Sequence, residues 1–415
     1  MIKVELTENG GWQSYELTSE QAAELSGANI VEMRGGHNGA WQLRARRPIG
    51  KVGAARLGRR GDAVEVRIAP KITIDRLLFL AGYAQQPSAA KWRDTEVAAR
   101  EASGLVPVVA HAFGRAADRA LSQGVLLGYR EVDATLPVVR GRIRQTEQLR
   151  RHYSFPVPVE LRYDDYTTDI IENRLLLTAA HRLLKLPDVS IDSRRFLHRV
   201  QARLVGVSRL EHGTLPSWQP TRLNTRYYAA LGLAELVLRG SSYELDVGRS
   251  VRVDGLLLNM WRVFEDFATV ALARALRPGG GKCRFQDQHH LDKARDILLK
   301  PDLVYYPSSA SGTRVPAAVV DAKYAITRGP RGHRDEFYQM LAYCTVLGVT
   351  RGYLVYAEGP PSGPRTHRIQ GTGIEITQYP LDLAQSPRNL LDQVQALATE
   401  IASPQRLLVV RSAPE

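Results

Sequence analysis

Residues 298–325, LLKPDLVYYPSSASGTRVPAAVVDAKYA, contain two apolar runs suited to buried strands, and both are broken by charge. Asp302 heads the first run; Asp321 and Lys323 sit in the second, separated by Ala322. A charge taken out of water costs several kcal/mol unless it is paired, hydrogen-bonded or bound to a metal. Any fold for this chain must supply that compensation. Strand side chains alternate, so Asp321 and Lys323 share one face while Ala322 enters the opposite layer. If Leu303–Tyr305 pairs with Ala318–Val320, Asp302 reaches the same edge of the sheet. Two carboxylates can then hold a hard divalent cation, Mg²⁺ with Mn²⁺ as a substitute, helped by the carbonyl of Ala322. Such an ion acidifies a bound water, and Lys323 would orient that water or offset transition-state charge. That chemistry is phosphodiester hydrolysis. Alone, a Pro-Asp reads as a turn and an Asp-x-Lys as a surface ion pair. Together, each interrupting an apolar run, they read as a site.

Two helical segments flank these runs. Over 334–347, Asp335, Gln339 and Tyr343 fall on one stripe, with Phe337, Met340, Leu341, Cys344 and Leu347 on the buried face. Gln339, four residues before Tyr343, is placed to orient substrate or water. In the earlier helix Glu265 shares a stripe with Trp261, Ala268 and Leu272. It is either an edge residue or a further ligand for metal or water.

Bulk properties narrow the classes. A chain of 415 residues accommodates two or three domains. It has no apolar run of eighteen residues, so no membrane span is expected. Its opening residues lack the apolar core of a signal peptide. Two cysteines, Cys283 and Cys344, cannot build a disulfide framework, a four-thiolate zinc site or an iron–sulfur cluster. A cytoplasmic location is the expectation. The formal charge of +13 nominates nucleic acid as a partner, although arginine-rich composition alone can produce such an excess.

Along the chain, residues 1–95 read as β-rich with one short helix over 18–27. They concentrate Arg44, Arg46, Arg47, Lys51, Arg56, Arg59, Arg60, Arg67 and Lys71, either a solvated strand face or a contact surface for an acidic partner. Residues 96–244 read as mainly helical. The clearest helix follows Asp169, which with Glu172 resembles a capping box; Pro187 closes it, and Leu175, Ala179, Leu183 and Leu186 form its core stripe. Residues 245–415 alternate: a long helix over 256–276, strands at 297–306 and 316–325, the helix 334–347, strands at 351–359 and 373–381, and a helix near 386–402. That order predicts a mixed-sheet α/β domain. RPGGGKCR is not a phosphate loop, since the motif needs Gly and Ser/Thr where Leu276 and Cys283 stand. His289-His290 reads as part of a polar connector, because adjacent residues rarely share one ligand direction.

Residues 298–343 resemble the PD-(D/E)xK nuclease signature: Pro301-Asp302, Asp321-Ala322-Lys323, then Gln339 and Tyr343 as Q-x-x-x-Y. The chain as a whole resembles McrC, the nuclease subunit of modification-dependent McrBC (type IV) restriction systems. VEVRIAPKI at 64–72, VVRGRIRQTEQL at 138–149, ENRLLLTA at 172–179, VFEDF at 263–267 and VVDAKY at 319–324 carry that resemblance. It implies a multidomain α/β fold: a β-rich N-terminal domain, a helical middle, and a restriction-endonuclease-like mixed sheet flanked by helices. It implies a metal-dependent endodeoxyribonuclease for phage defence, with Asp302, Asp321, Lys323, Glu265, Gln339 and Tyr343 catalytic and Asp302, Asp321 and Ala322 holding Mg²⁺. It implies as partners DNA and an McrB-like AAA+ GTPase hexamer, contacted and stimulated through residues 1–95, and pairing of two nuclease subunits for double-strand cleavage. The alternatives are a stand-alone repair nuclease of the same superfamily and a non-catalytic DNA-binding regulator of an AAA+ ring. Intact Asp302, Asp321 and Lys323 argue against the second.

Overall fold

A computed structural model describes residues 2–403, apart from 37–38, 47–49, 59–62, 86–103, 154, 212, 241–252, 309–314, 327–333 and 359–362. Arg47, Arg59 and Arg60 of the basic stretch, and the first part of the helical region expected from 96, lie outside the described residues.

Alternating apolar residues build the N-terminal sheet from β1 (Ile2–Thr7), β5 (Lys51–Leu57), β6 (Val64–Ala69) and β10 (Val253–Asn259) in the order β1-β6-β5-β10. Only the β1–β6 pair is parallel. A three-stranded antiparallel sheet of β2 (Gln13–Tyr15), β4 (Trp41–Ala45) and β3 (Val31–Gly35) lies beside it. Between them α1 (Ser19–Gly27) is fixed by a capping box, Thr18 and Gln21 each answering the other's backbone N–H. Gly53 crosses close to the neighbouring strand at φ +131°, and a Cβ there would lie 2.0 Å from the carbonyl oxygen of Leu256.

The expected helix over 256–276 is divided. Leu256–Leu258 complete the N-terminal sheet as β10, and α8 (Met260–Leu276) begins only at Met260. An apolar Leu-Leu-Leu run is compatible with either structure. The ladder to β5 decides it.

The basic stretch is partly internal. Arg44 pairs with Glu32, Arg67 pairs with Glu65 at 2.6 Å and also with Asp188, and Lys71 pairs with Glu358 at 3.2 Å. Lys51 is buried, which pulls its ammonium down to about 8, with Arg46 adding to the effect. Arg46 and Arg56 stay exposed.

Following α2 (Ile74–Gln85), the middle region packs α3 (Leu105–Ser122) with α5 (Ile171–Lys185), α6 (Ile191–Arg203) and α7 (Tyr228–Gly240). Pro107 sits in the first turn of α3, where no intrahelical N–H is lost. The stripe Leu175, Ala179, Leu183 and Leu186 is buried as expected. The capping box is not formed: Ile170 occupies the N-cap without a side-chain bond. Asp169 instead binds Arg130, Arg174 (Nε at 2.7 Å) and the Ser208 N–H (2.8 Å). Two guanidinium groups outcompete one backbone donor.

The region is also less helical than the sequence indicates. Residues 128–167 form a three-stranded antiparallel sheet, β7 (Gly128–Leu136), β8 (Arg142–Ile143) and β9 (Val159–Thr167), with α4 (Gln145–His152) inserted. Its long strands are half exposed along most of their length.

The C-terminal sheet runs β11 (Lys282–Phe285), β14 (Leu303–Tyr306), β15 (Ala318–Ile326), β16 (Arg351–Glu358), β18 (Glu375–Pro380) and β17 (Arg365–Arg368). The β15–β16 and β16–β18 pairs are parallel, the others antiparallel. One face buries Leu303, Tyr305, Val320 and Val355 with α8 and α10 (Pro387–Ala402). The other buries Val304, Val319, Leu354 and Tyr356 against Met340 and Cys344 of α9 (Arg334–Leu347). Leu390, Val394, Leu397 and Ile401 of α10 are each almost fully buried, worth roughly 1.5–3 kcal/mol apiece. His289 and His290 form β12 and pair with β13 (Leu298–Leu299) in a small ladder instead of an irregular connector. Arg277–Gly279 is a helix-ending turn, as the failed phosphate-loop pattern requires. No helix among the described residues is long and apolar enough to cross a membrane.

Candidate active site

The antiparallel register Leu303↔Val320, Val304↔Val319, Tyr305↔Ala318 is the pairing the sequence suggested, and it carries Asp302 to the position opposite Asp321. The Ala322 N–H donates to Asp302 Oδ2 at 2.8 Å, so the two strands are tied at the point where their charges begin. Asp321 and Lys323 share the sheet face covered by α9. Lys323 is ion-paired with Asp321 and donates to Gln339 Oε1 at 3.1 Å; Gln339 in turn donates to the Tyr343 hydroxyl at 2.8 Å. From the other side, α8 supplies Glu265, only 8% exposed, within hydrogen-bonding reach of Asp302. All of these groups, with Ala322, line one cleft of about 1030 Å³.

Crowding sets the protonation states. Asp302 is pushed up to about 8, first by burial, then by the charges of Asp321 and Glu265. Asp302 is thus the carboxyl that retains a proton at neutral pH, and it donates toward Glu265. Burial also raises Glu265 and Asp321, the latter against the pull of Lys323. Burial acts to lower the Lys323 ammonium, but Asp321, Asp302 and Glu336 outweigh it and the net direction is up. Lys323 is therefore a fixed cation.

Sequence reasoning missed several lining residues. Gln286 donates to Glu265 Oε1 at 2.8 Å. Glu336 lines the cleft and accepts from the Tyr356 hydroxyl at 2.6 Å, whereas Asp335, which shares the Gln339 stripe, is exposed. Arg239 pairs with Asp266 at 3.3 Å on the rim beside Arg262 and Trp261. Tyr324, directly after the lysine, turns to the α8 face against Phe264 and donates to Glu8 Oε2 at 3.0 Å. Glu336 was legible as a neighbour of the stripe; Gln286 and Glu8 carried no local signal.

The donor set fits a hard divalent cation: a carboxyl at the start of β14 faces one on β15, both raised chiefly by a burial that a cation would offset, with a third behind them. No group of three or more His, Cys, Asp or Glu side chains among the described residues forms a ready-made cage. An ion would engage the two strand carboxylates first.

Residues 47–357 match the family described as McrBC 5-methylcytosine restriction system component. The chain belongs to the McrC family. No curated protein sequence matches it. Among solved structures it is similar to a chain of the half-complex from a tetradecameric assembly of Thermococcus gammatolerans McrB AAA+ hexamers with bound McrC. That match has 17% identity and a TM-score of 0.54, covering 96% of this chain and 100% of that one. A second match, in the Thermococcus gammatolerans McrBC complex, has 17% identity and a TM-score of 0.38 over 66% of this chain and 88% of that one. This McrC-family chain thus retains the fold along nearly its whole length at low sequence identity.

Proposed function

We propose that this McrC-family protein is the nuclease subunit of an McrBC-type restriction complex, hydrolysing phosphodiesters of modified DNA in a Mg²⁺-dependent reaction. One observation carries the reading: Asp302, Asp321 and Lys323 converge from adjacent strands in one cleft, with Gln339 and Tyr343 extending the array. The mixed sheet with α8 and α9 on opposite faces supports a PD-(D/E)xK fold for the part of residues 245–415 that follows β10, behind a β-rich 1–95 and a 96–244 region that combines helices with the β7–β9 sheet.

Asp302 and Asp321, with the Ala322 carbonyl, would hold the ion. When bound, Mg²⁺ supplies a low-pKa water and a positive charge at the phosphoryl oxygens. Lys323, fixed between Asp321 and Gln339, positions the attacking water and offsets charge on the phosphoryl group. The Gln339–Tyr343 bond limits where the lysine can point. Glu265 serves as a further ligand or orients water. The basic excess of the chain favours a polyanionic substrate.

The partner in this reading is an McrB-like AAA+ GTPase hexamer, docked through residues 1–95, and two nuclease subunits combine for double-strand cleavage. The test compares methylated and unmethylated plasmid, with and without an McrB-like AAA+ protein. Asp321→Asn is expected to abolish cutting while leaving fold and partner binding intact, and the chain alone is expected to cut poorly. An Asp321→Asn protein that cut at the wild-type rate would refute the site.

A further inference from the structure

Gln286 follows β11 on the loop leading to β12 and has φ +46°, in the left-handed region that residues with side chains rarely adopt. Glycine or asparagine would occupy that conformation more easily. Two hydrogen bonds hold Gln286 there. Its backbone N–H donates to the Asp302 carbonyl oxygen at 3.1 Å, and its side-chain amide donates to Glu265 Oε1 at 2.8 Å. Asparagine, one methylene shorter, would not span the same distance.

We propose that Gln286 is a positioning residue that sets the Glu265 carboxylate against Asp302, joining helix α8 to strand β14 across the cleft. This rests on the nuclease reading above. Glu265 is buried, and its charged neighbours in the cleft, Asp266 and Asp321, are themselves carboxylates that repel it. The Gln286 amide is a neutral donor aimed at one oxygen of that group, and Asp302 lies within hydrogen-bonding reach of the same carboxyl. Without the amide, Glu265 has reason to rotate away from the acidic neighbours, and the strand carboxylates lose their third member. Backbone strain kept at a residue whose side chain engages a site group is what such a role predicts.

Three substitutions separate the amide from the backbone. Gln286→Gly deletes the amide and relieves the left-handed strain; Gln286→Ala deletes the amide and keeps the strain. Gln286→Glu keeps the length but replaces the donor by an acceptor. Each full-length chain is measured three ways: Mn²⁺ binding by calorimetry on the metal alone, thermal melting, and cutting of modified plasmid with its AAA+ partner present. Gln286→Gly is expected to melt at or above the wild-type temperature, yet to bind Mn²⁺ and cut DNA about 10–100-fold less well. Gln286→Glu is expected to be at least as impaired. Wild-type Mn²⁺ affinity and cutting in Gln286→Gly would overturn the proposal, as would a lowered melting temperature with unchanged affinity. Asp321→Asn tells the two readings apart: if it is inactive while Gln286→Gly is normal, only the positioning role falls. If the wild-type chain neither binds Mn²⁺ nor cuts, both fall.

Discussion

Replacing Asp302 with Asn should remove activity and raise stability, and the size of the gain follows from the cleft. Burial, then Asp321 and Glu265, push Asp302 up to about 8 from the ordinary carboxyl value of 3.8. The folded protein therefore binds this proton more tightly than the unfolded chain does, so stability falls as pH rises from the ordinary value toward the folded one. Below pH 3.8 the penalty is absent; above about 8 it is complete. At pH 7 the gap to the ordinary value, at about 1.4 kcal/mol per pH unit, sets a ceiling of about 4 kcal/mol. Water entering the cleft and adjustment of the neighbouring carboxyls reduce the expected gain to about 1–2 kcal/mol. Asparagine keeps an acceptor for the Ala322 N–H and so preserves the tie between strands. The assay is thermal melting from pH 4 to 9 without divalent cations. The variant should melt a few degrees above wild type at pH 7–8, and the difference should shrink toward pH 4. Added Mg²⁺ should then reverse the order, because an ion that binds only the folded wild type at one hundred times its Kd contributes about 2.7 kcal/mol. A variant that melted at or below wild type throughout pH 6–8 without metal would refute the crowding argument.

Three other perturbations test the frame around the cleft. Asp169 is held well below the carboxylate range by Arg174 and the Ser208 loop, so its contribution is present above pH 4 and fades as pH falls below it. Asp169→Asn should cost on the order of 2 kcal/mol at pH 7 by urea denaturation, with a smaller loss at pH 3. Gly53→Ala must place a Cβ against the Leu256 carbonyl at φ +131°, and should cost 2 kcal/mol or more, on the order of a disrupted strand pair, in the same assay. Tyr324→Phe removes the hydroxyl bond to Glu8 while keeping the ring against Phe264; calorimetry should record a loss of about 1 kcal/mol.

What could be read from the sequence was what depended on local pattern. The bounds of α9 and α10 were close to those expected from the sequence, and the β14–β15 register followed from two apolar runs that each had to place a charge at one edge. The failures share a cause as well. Asp169 looked like a cap because two of the partners that claim it, Arg130 and Ser208, lie 39 residues away on either side. The β7–β9 sheet was hidden within a region read as mainly helical because the inward positions of its strands are mostly only half-buried and admit residues such as Arg130, so the alternation in burial is not written as an apolar one. Gln286 was unreadable because what marks it is a backbone angle and two bonds across the cleft.

The division of the C-terminal region is informative in the same way. Leu256–Leu258 belong to the N-terminal sheet, and the next residues are the first turn of the helix that carries Glu265. The Met260 N–H donates to the Gly50 carbonyl at 3.0 Å, so the start of α8 is anchored on the strand that opens β5. A second tie runs from Glu8, after β1, to Tyr324, the residue after the cleft lysine; Lys71 lies over the same ring at 4.6 Å and bonds Glu358 on β16. The N-terminal sheet is thus continuous by hydrogen bonds with both elements that shape the cleft, the helix bearing Glu265 and the strand bearing Lys323. If a partner docks on that sheet as proposed, its load has a physical route to the cleft through the β5–β10 ladder and the Glu8–Tyr324 bond. Tyr324→Phe cuts the second route and leaves the first, so a loss of cutting in the presence of the AAA+ partner larger than its stability loss of about 1 kcal/mol would assign coupling to the tyrosine, and an unchanged rate would exclude that route.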